Sequence, residues 1–585
     1  MPKGGVLSPT LWNMMMDGHL REMQEMYKEA HCQAYADDGA LLFVGWDPGV
    51  LRARAQLALR TVQHWARSKG LRINAAKTES IMFTRRRKWL MNPLTLDGVG
   101  IPLKEEVKYL GVILDRHLTW RAHCEWKVNV CSRILMSCRR IVGNSWGIKP
   151  QVSRWIYTGI VRPILTYAAC IWLPATLRKS RLIVLDKVQR LGCLMLTSAF
   201  PTTPTRAMEK LLDIPPLEVY LRSVALEQLL RLRQEGMWSK MADWGHPESH
   251  GKLCQTLAGE IPEMALPCDR MAPWMKTTSR YRIVIEERMR ARITAERIKE
   301  EVNFVAFTDG SRIEGKTGMG LFMTAGERSV KITVPLGMLA TVNQAELQGI
   351  EEAARLLQGS APLGARVEIL TDSQVCIRML GSSKMCSRLV KGCHEELNRL
   401  GRRRFVTLRW VPGHMGVAGN EEADGLARLG ALGDAVGPEP LLPVSYEFVK
   451  NKIRCWMMSQ WERKWRNMPG LRQAKMGIRS QRPGDLAATL RLSRTELRYL
   501  VMVLTGHANL GSHLFKMGLR DSAECPKCGS LEETPEHFVG RCPAFFMQRL
   551  QRFGRPHFVG MEWKDVPYVK LAGFVRETGR LGGFL

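Results

Sequence analysis

The chain lacks any run of 18 or more consecutive apolar residues, so no segment has the length and apolarity of a membrane-spanning helix. A basic-then-apolar segment at the N-terminus, the mark of a secretory signal, is also missing. No internal repeat or low-complexity tract is found, which excludes a repeat array. Cysteine pairs are scarce: the 15 cysteines are scattered and form one tight C-x-x-C. That usage argues against a disulfide framework and for an intracellular, reducing compartment. Acid is short as well, with 56 Asp and Glu against 86 Lys and Arg, a net charge of +30. Such a balance points to a polyanionic partner, because each neutralised phosphate releases counterions. An anionic membrane surface is the alternative, and the missing apolar runs weigh against a membrane.

What is present is globular. The 585 residues include 45% hydrophobic residues, 17 Trp and 16 Phe. That length implies about three to five domains rather than one core.

Four acids occupy informative contexts. Asp309 closes the alternating run Phe304-Val-Ala-Phe-Thr-Asp309 and shares a strand face with Val305 and Phe307. Glu346 falls in line with Ile350, Ala353 and Leu357, the inward stripe of a helix. Asp372 ends a second strand, Arg366-Val-Glu-Ile-Leu-Thr-Asp372, and Asp424 lies early in another helix. Acids at strand ends and on inward helix faces repel one another and are costly to bury unless cations are present. Divalent metals supply the compensation, and two hard cations roughly 3.5–4 Å apart suit phosphodiester cleavage.

Asp309-Gly-Ser, the Glu346 helix, Thr371-Asp372-Ser and Trp410-Val-Pro-Gly-His414-x5-Asn420-x3-Asp424 together resemble a type 1 ribonuclease H. The resemblance implies a mixed-sheet domain in which Asp309, Glu346, Asp372 and Asp424 hold two magnesium ions, with manganese as a substitute. It further implies that His414, on a mobile loop, assists proton transfer or product release. Asn420 would orient that loop or the attacking water.

Cys525-Pro-Lys-Cys528 is followed by His537 and Cys542. Three thiolates and one imidazole at this spacing suit a closed tetrahedral zinc site, with Gly529 easing the turn. A structural staple for a small lobe and a nucleic-acid-binding knuckle are both compatible with the spacing.

Near the N-terminus, Lys3-Gly4-Gly5-Val-Leu-Ser-Pro9 is followed by Ala36-Asp37-Asp38-Gly39 and an apolar run. Paired acids in a tight turn between apolar strands present a carboxylate to a metal at the hairpin tip. The two segments resemble motifs B and C of a reverse transcriptase palm of the non-LTR retrotransposon kind (I/Jockey-like group). Gly70-Leu-x-x-Asn74-x-x-Lys77-Thr78 resembles motif D, and Lys108-Tyr-Leu-Gly-Val-x-Leu-Asp115 the segment after it. By resemblance, Asp37 and Asp38 bind magnesium as a partial site, Gly4 and Gly5 line the substrate-template cleft, and Lys77 assists the pyrophosphate. Lys3 stands where Gln is usual. The palm's first catalytic Asp and the fingers belong upstream of motif B, where this chain has no room, so the resemblance implies a fragment of a longer polyprotein. The upstream endonuclease expected in these elements is also absent.

Ile160-Val-Arg-Pro-Ile-Leu-Thr-Tyr167 and Leu185-Asp-Lys-Val-Gln-Arg190 resemble the post-palm region of such elements. Cys124, Cys131 and Cys138, with His123, read as a helix core face rather than a metal stripe. Trp461 and Trp465, one turn apart, read as buried anchors of a docking helix rather than base-stacking platforms. Arg85 to Lys88, Lys276 to Lys299 and Arg402 to Arg404 are basic clusters that favour a phosphate-tracking surface. Residues 384–404 sit where some ribonucleases H carry a basic hybrid-binding helix, and the sequence leaves open whether that helix forms.

The expected fold class is α/β multidomain. Residues 1–120 form a partial palm and 121–295 a helical thumb or connection. The ribonuclease H domain covers 300–433, followed by a linker and helical segment at 434–520, a zinc lobe at 521–550 and a tail at 551–585. The expected function is cleavage of RNA in RNA–DNA hybrids, with an incomplete RNA-directed DNA polymerase. Element RNA, target DNA and the hybrid are the expected partners. The expected location is nuclear with a cytoplasmic ribonucleoprotein stage. A catalytically inactive nucleic-acid-binding relic is the alternative, and a stand-alone cellular ribonuclease H is disfavoured by the palm motifs.

Overall fold

The computed structural model describes residues 5–143, 145–236, 250–326, 328–478, 484–558 and 562–582. The chain divides into two compact units, Met1–Arg140 with Ala175–Gly192, and Ile141–Pro174 with Cys193–Leu585.

In the first unit, helix α1 (Ser8–Met26) precedes an antiparallel hairpin of β1 (Ala30–Tyr35) and β2 (Asp38–Phe43). Tyr35 pairs with Asp38, which leaves Ala36 and Asp37 as a two-residue turn. Ala36 takes a φ of 53°, the left-handed conformation that so tight a turn needs. Helix α2 (Pro48–Ser68) is capped by the Asp47 carboxylate, which accepts from the Val50 N–H. Leu59 and Ala55 of α2 pack on Leu94, Leu96 and Ile101 of a second hairpin, β3 (Leu94–Leu96) and β4 (Val99–Ile101). A third hairpin, β5 (Glu106–Tyr109) and β6 (Val112–Asp115), leads into α3 (Arg121–Arg139). This unit runs past the boundary expected at residue 120, because α3 packs back on β6 and His123 Nδ1 accepts from the Ile113 N–H at 3.2 Å. On α3, Cys124 and Cys131 are buried and Cys138 is half-buried, as a core stripe requires.

The second unit contains a helical layer that includes α4 (Leu217–Gln234), which buries Leu217, Leu221, Ala225, Leu226 and Leu230. It also contains a six-stranded sheet. The elements run β7 (Arg270–Met275), β8 (Tyr281–Val284), α5 (Arg288–Glu301), β9 (Phe304–Ile313), β10 (Lys316–Ala325), β11 (Arg328–Gly337), α6 (Val342–Ser360), β12 (Arg366–Thr371), α7 (Gln374–Gly381), β13 (Lys384–Ser387), α8 (Arg388–Leu400), β14 (Phe405–Trp410) and α9 (Ala418–Leu432). The sheet order is β8-β14-β12-β9-β10-β11. Strands β8, β14, β12 and β9 pair in parallel, whereas β9, β10 and β11 form an antiparallel meander. One face carries α6 and α8 over a core that includes Ile350, Leu357, Ile369, Leu397 and Leu408. The other face carries α9 and α5, whose Ala295 and Ile298 pack with Phe307, Val411 and Ala423.

The sheet extends beyond the boundary expected at residue 300. Strand β8 pairs with β14 from Tyr281–Val406 to Val284–Arg409, and β7 pairs with β13. Without β8, β14 would be an edge strand with unpaired backbone groups, so residues assigned to a thumb close the sheet instead. The approach of α9 to β10 is set by glycine: a Cβ at Gly320 would collide with backbone atoms of Ala423 and Ala427.

C-terminal to the sheet, α10 (Tyr446–Asn467) docks on the helical layer, with Lys210 Nζ 2.6 Å from Glu462 and Trp461 and Trp465 both buried. Helix α11 (Arg494–Thr505) opens with a capping box between Ser493 and Glu496. Helices α12 (Phe546–Phe553) and α13 (Tyr568–Thr578) complete a C-terminal lobe. The residues expected as a tail are part of this lobe. Phe574 of α13 packs with Phe538, Phe545 and Phe553, and Arg580 holds the buried Glu533.

Candidate functional site

Asp309 is not at the end of its strand, as its sequence context suggested. Strand β9 continues to Ile313, and what stops at Thr308–Thr371 is its parallel pairing with β12. Asp372 follows immediately after the last residue of β12. The two acids therefore flank the point where adjacent parallel strands part, the crevice at which sheets of this kind bind ligands. Helix α6 brings Glu346 over the same point. Its approach depends on Gly310, where a Cβ would lie 2.8 Å from the Val342 carbonyl and 3.1 Å from the Glu346 nitrogen. The helix is fixed by a capping box in which Thr341 accepts from the Gln344 N–H.

One ligand atom from each of Asp309, Glu346 and Asp372 lies within 4.8 Å of the others. Asp309 is 6% exposed and Glu346 3% exposed. Thr371 Oγ1 donates to Glu346 at 2.9 Å, and the Trp410 indole N–H donates to the Asp372 carbonyl at 3.0 Å. Burial, then the charges of Asp372 and Asp424, pushes the Asp309 carboxyl up to about 7. Burial, then Asp309 and Asp372, holds Glu346 well above the usual carboxylate range. Asp372 is raised chiefly by burial, against the opposing pull of His414.

Asp424, in the second turn of α9, belongs to an adjoining group. Its carboxylate, His414 and Glu421 offer ligand atoms within 4.8 Å of one another. Arg428 pairs with Asp424 at 2.8 Å, and His414 Nδ1 stands 4.0 Å away. His414 is 74% exposed and sits at a φ of 54°. Glu421 was not singled out from the sequence. Its spacing of three from Asp424 on one helix face was the available signal, and its carboxylate also accepts from the Gly416 N–H at 3.3 Å. Asn420 is 3% exposed, and its Oδ1 has no hydrogen-bond partner among the described residues.

Asp37 and Asp38 lie at the tip of the palm-like hairpin, both exposed, with the Trp12 indole N–H donating to the Ala36 carbonyl at 2.7 Å. Among the described residues they join no third acid, histidine or cysteine in a metal-sized group. Lys3 and Gly4 lie outside the described residues, and Gly5 is the first residue within them. Lys77 is exposed at the end of a short turn capped by Asn74, whose Oδ1 accepts from the Lys77 N–H at 3.3 Å.

The C-terminal lobe brings Cys525, Cys528, His537 and Cys542 together, with all four ligand atoms within 4.8 Å. The Cys525 and Cys542 sulfurs are 3.9 Å apart, and Cys528 Sγ is 3.2 Å from His537 Nε2. Glu533 buttresses the group: its carboxylate faces Cys525 Sγ at 3.7 Å and accepts from the Gly511 N–H at 2.7 Å and from Arg580.

One basic cluster, Arg402 to Arg404, and the 384–404 segment that contains it have structural roles. Arg404 donates to the carbonyls of Gln358 and Ala361 and so caps the end of α6. Residues 384–404 form a strand followed by α8, which buries Val390, Cys393, His394, Leu397 and Leu400 in the domain.

Residues 1–114 match the reverse transcriptase (RNA-dependent DNA polymerase) family, and residues 301–432 match the RNase H family. The putative 115 kDa protein in type-1 retrotransposable element R1DM of Drosophila melanogaster is 25% identical over 252 residues, 42% of this chain and 24% of that protein. The RNA-directed DNA polymerase from mobile element jockey, also of Drosophila melanogaster, is 28% identical over 241 residues, 40% of this chain and 25% of that protein. The chain thus spans about a quarter of the length of each of these relatives. Among solved structures, RNase H1 from Halobacterium salinarum NRC-1 is 24% identical, covering 22% of this chain and 96% of that chain at a TM-score of 0.19. The chain carries the reverse transcriptase and RNase H segments of a non-LTR retrotransposon Pol polyprotein.

Proposed function

We propose that this chain cleaves RNA within RNA–DNA hybrids at the acid cluster of its RNase H segment. The observation that carries the proposal is the convergence of Asp309, Glu346 and Asp372 within 4.8 Å in a half-buried crevice. Of the four acids, Asp424 is the one paired with an arginine or lysine among the described residues. Hard oxygen donors at this density, held against burial and mutual repulsion, suit divalent cations. Asp309, Glu346, Asp372 and Asp424 would hold two magnesium ions, with manganese as a substitute. When bound, such a pair activates a water and neutralises the departing oxygen of an in-line displacement.

The chain's own residues complete the site. Thr371 fixes the Glu346 carboxylate by its hydroxyl. His414, exposed beside Asp424, would carry a proton to the leaving oxygen or help release product. Asn420, whose buried Oδ1 has no partner among the described residues, would orient the His414 loop or the attacking water. The four-residue cluster in the C-terminal lobe would hold zinc, since three thiols and one imidazole form a closed tetrahedral set. Asp37 and Asp38 stand as part of a polymerase metal site that lacks its further carboxylate among the described residues. In the full polyprotein, element RNA would be the template and target DNA the insertion site.

The test is incubation of the purified chain with magnesium and a labelled RNA–DNA hybrid. Wild type should cleave the RNA strand, and Asp372→Asn should lower the rate at least about a hundredfold. Equal cleavage by the variant would refute the assignment. Salt-dependent binding of the hybrid without turnover would instead identify a nucleic-acid-binding relic.

A further inference from the structure

The C-terminal lobe has a pocket beside the cysteine-histidine cluster. It measures about 400 Å³ and is lined by Arg541, Pro543, Phe546, Arg549, His557 and Phe558. Its walls are tied together: Phe558 N–H donates to the Gly540 carbonyl at 2.9 Å, and Arg549 bridges the carbonyls of Pro556 and Cys542 at 2.6 and 2.5 Å. Arg549 is 1% exposed, and its Nη1 is buried with no hydrogen-bond partner among the described residues. A buried guanidinium bonded to two carbonyls, with no carboxylate paired to it among the described residues, keeps its positive charge at the pocket wall. Of the other arginines nearby, Arg552 pairs with Glu577 and Arg555 lies 3.9 Å from Glu562, so Arg549 supplies the fixed charge of the wall. Arg541 pairs with Glu536 at 2.6 Å, but its side chain is 58% exposed, so it exchanges partners at little cost. Beside these cations Phe546 presents its ring to solvent, 45% exposed.

An aromatic face next to fixed positive charge, in a pocket too small for a duplex, matches one ligand class well. Bases within a duplex stack on each other, whereas single-stranded bases offer a free face to an aromatic ring and a phosphate to a cation. We propose that this pocket takes one nucleotide unit of single-stranded nucleic acid, its base stacked on Phe546 and its phosphate held by Arg541 and His557 over the Arg549 wall. The site goes beyond the hybrid-cleaving reading and is independent of it, because none of its residues belongs to the acid cluster. It assigns the C-terminal lobe a binding role in addition to a structural one.

The experiment uses the full chain with zinc in the buffer and fluorescently labelled oligo(U) and oligo(dT), read by anisotropy at physiological salt. Phe546→Ala should weaken binding of at least one oligomer about fivefold or more, and Phe546→Trp should restore it. A 4-thiouridine oligomer should crosslink to a peptide within 541–558. Phe546 is exposed enough for the alanine variant to keep its zinc content and its hybrid cleavage, and both are measured. Unchanged affinity in Phe546→Ala for both oligomers, or crosslinks confined to other regions, overturns the proposal. If affinity falls but zinc content falls with it, the Trp variant decides, and failure of Trp to restore binding also overturns the proposal.

Discussion

Replacing Asp309 with asparagine should stabilise the metal-free protein, the reverse of what most buried substitutions do. Burial and the charges of Asp372 and Asp424 raise its carboxyl to about 7, from an ordinary aspartate value of about 4. A carboxyl raised that far makes the ionised form cost at most about 4 kcal/mol. Because the neighbouring acids relax when one charge is removed, a gain of about 1–3 kcal/mol is expected, or about 3–10 °C in the melting of a domain of this size. The sign follows from linkage. The folded-state value lies above the unfolded one, so the cost is absent below about pH 4, grows as pH rises through about 7, and is complete above it. Calorimetry in EDTA should therefore show Asp309→Asn melting above wild type at about pH 8 and close to it at about pH 4. Magnesium should raise the wild-type transition at the higher pH and do much less for the variant. A variant less stable than wild type in EDTA at about pH 8, or a gain that does not change with pH, would refute the electrostatic reasoning.

Further outcomes follow from packing and from the cysteine cluster. Gly320→Ala places a methyl group into the backbone of α9, and should cost about 3 kcal/mol or more; denaturant unfolding of the RNase H segment measures it, and a loss under about 1 kcal/mol would contradict the tight approach. Cys525→Ser, or a zinc chelator, should unfold the C-terminal lobe including α13, because Glu533 links the cluster to Gly511 and Arg580. Hydrogen exchange would then rise over residues 568–578 while α6 stays protected, and an unchanged α13 would show that the cluster does not support the lobe.

The acids were legible because their flanking residues repeat with strand and helix periods, and one inward position in each carried a charge. Asp309 followed Val305 and Phe307 on one strand face, and Glu346 kept step with Ile350 and Leu357. Glu421 escaped notice because a surface glutamate early in a helix is ordinary, and its meaning appears only when the His414 loop folds over it. Strand β8 escaped because four residues, Tyr281 to Val284, lie among arginines and glutamates with too little alternation to signal a strand. The packed C-terminal segment escaped for a similar reason. Phe574 looks like any apolar residue until Phe538, Phe545 and Phe553 surround it.

Local chemistry is therefore what the sequence by itself determined: which residues can ligate, the spacing of the Cys525 to Cys542 ligands, the polyanion-seeking charge, and the elements that carry each acid. Those properties depend on side-chain type and short-range period, which the order of residues contains directly. Only the tertiary structure decided where pairing between β9 and β12 stops, that three acids share one crevice while Asp424 adjoins with His414, and that β8 closes the sheet. Each of these depends on contacts between residues far apart in the chain, whose free energy is gained only when the backbone brings them together.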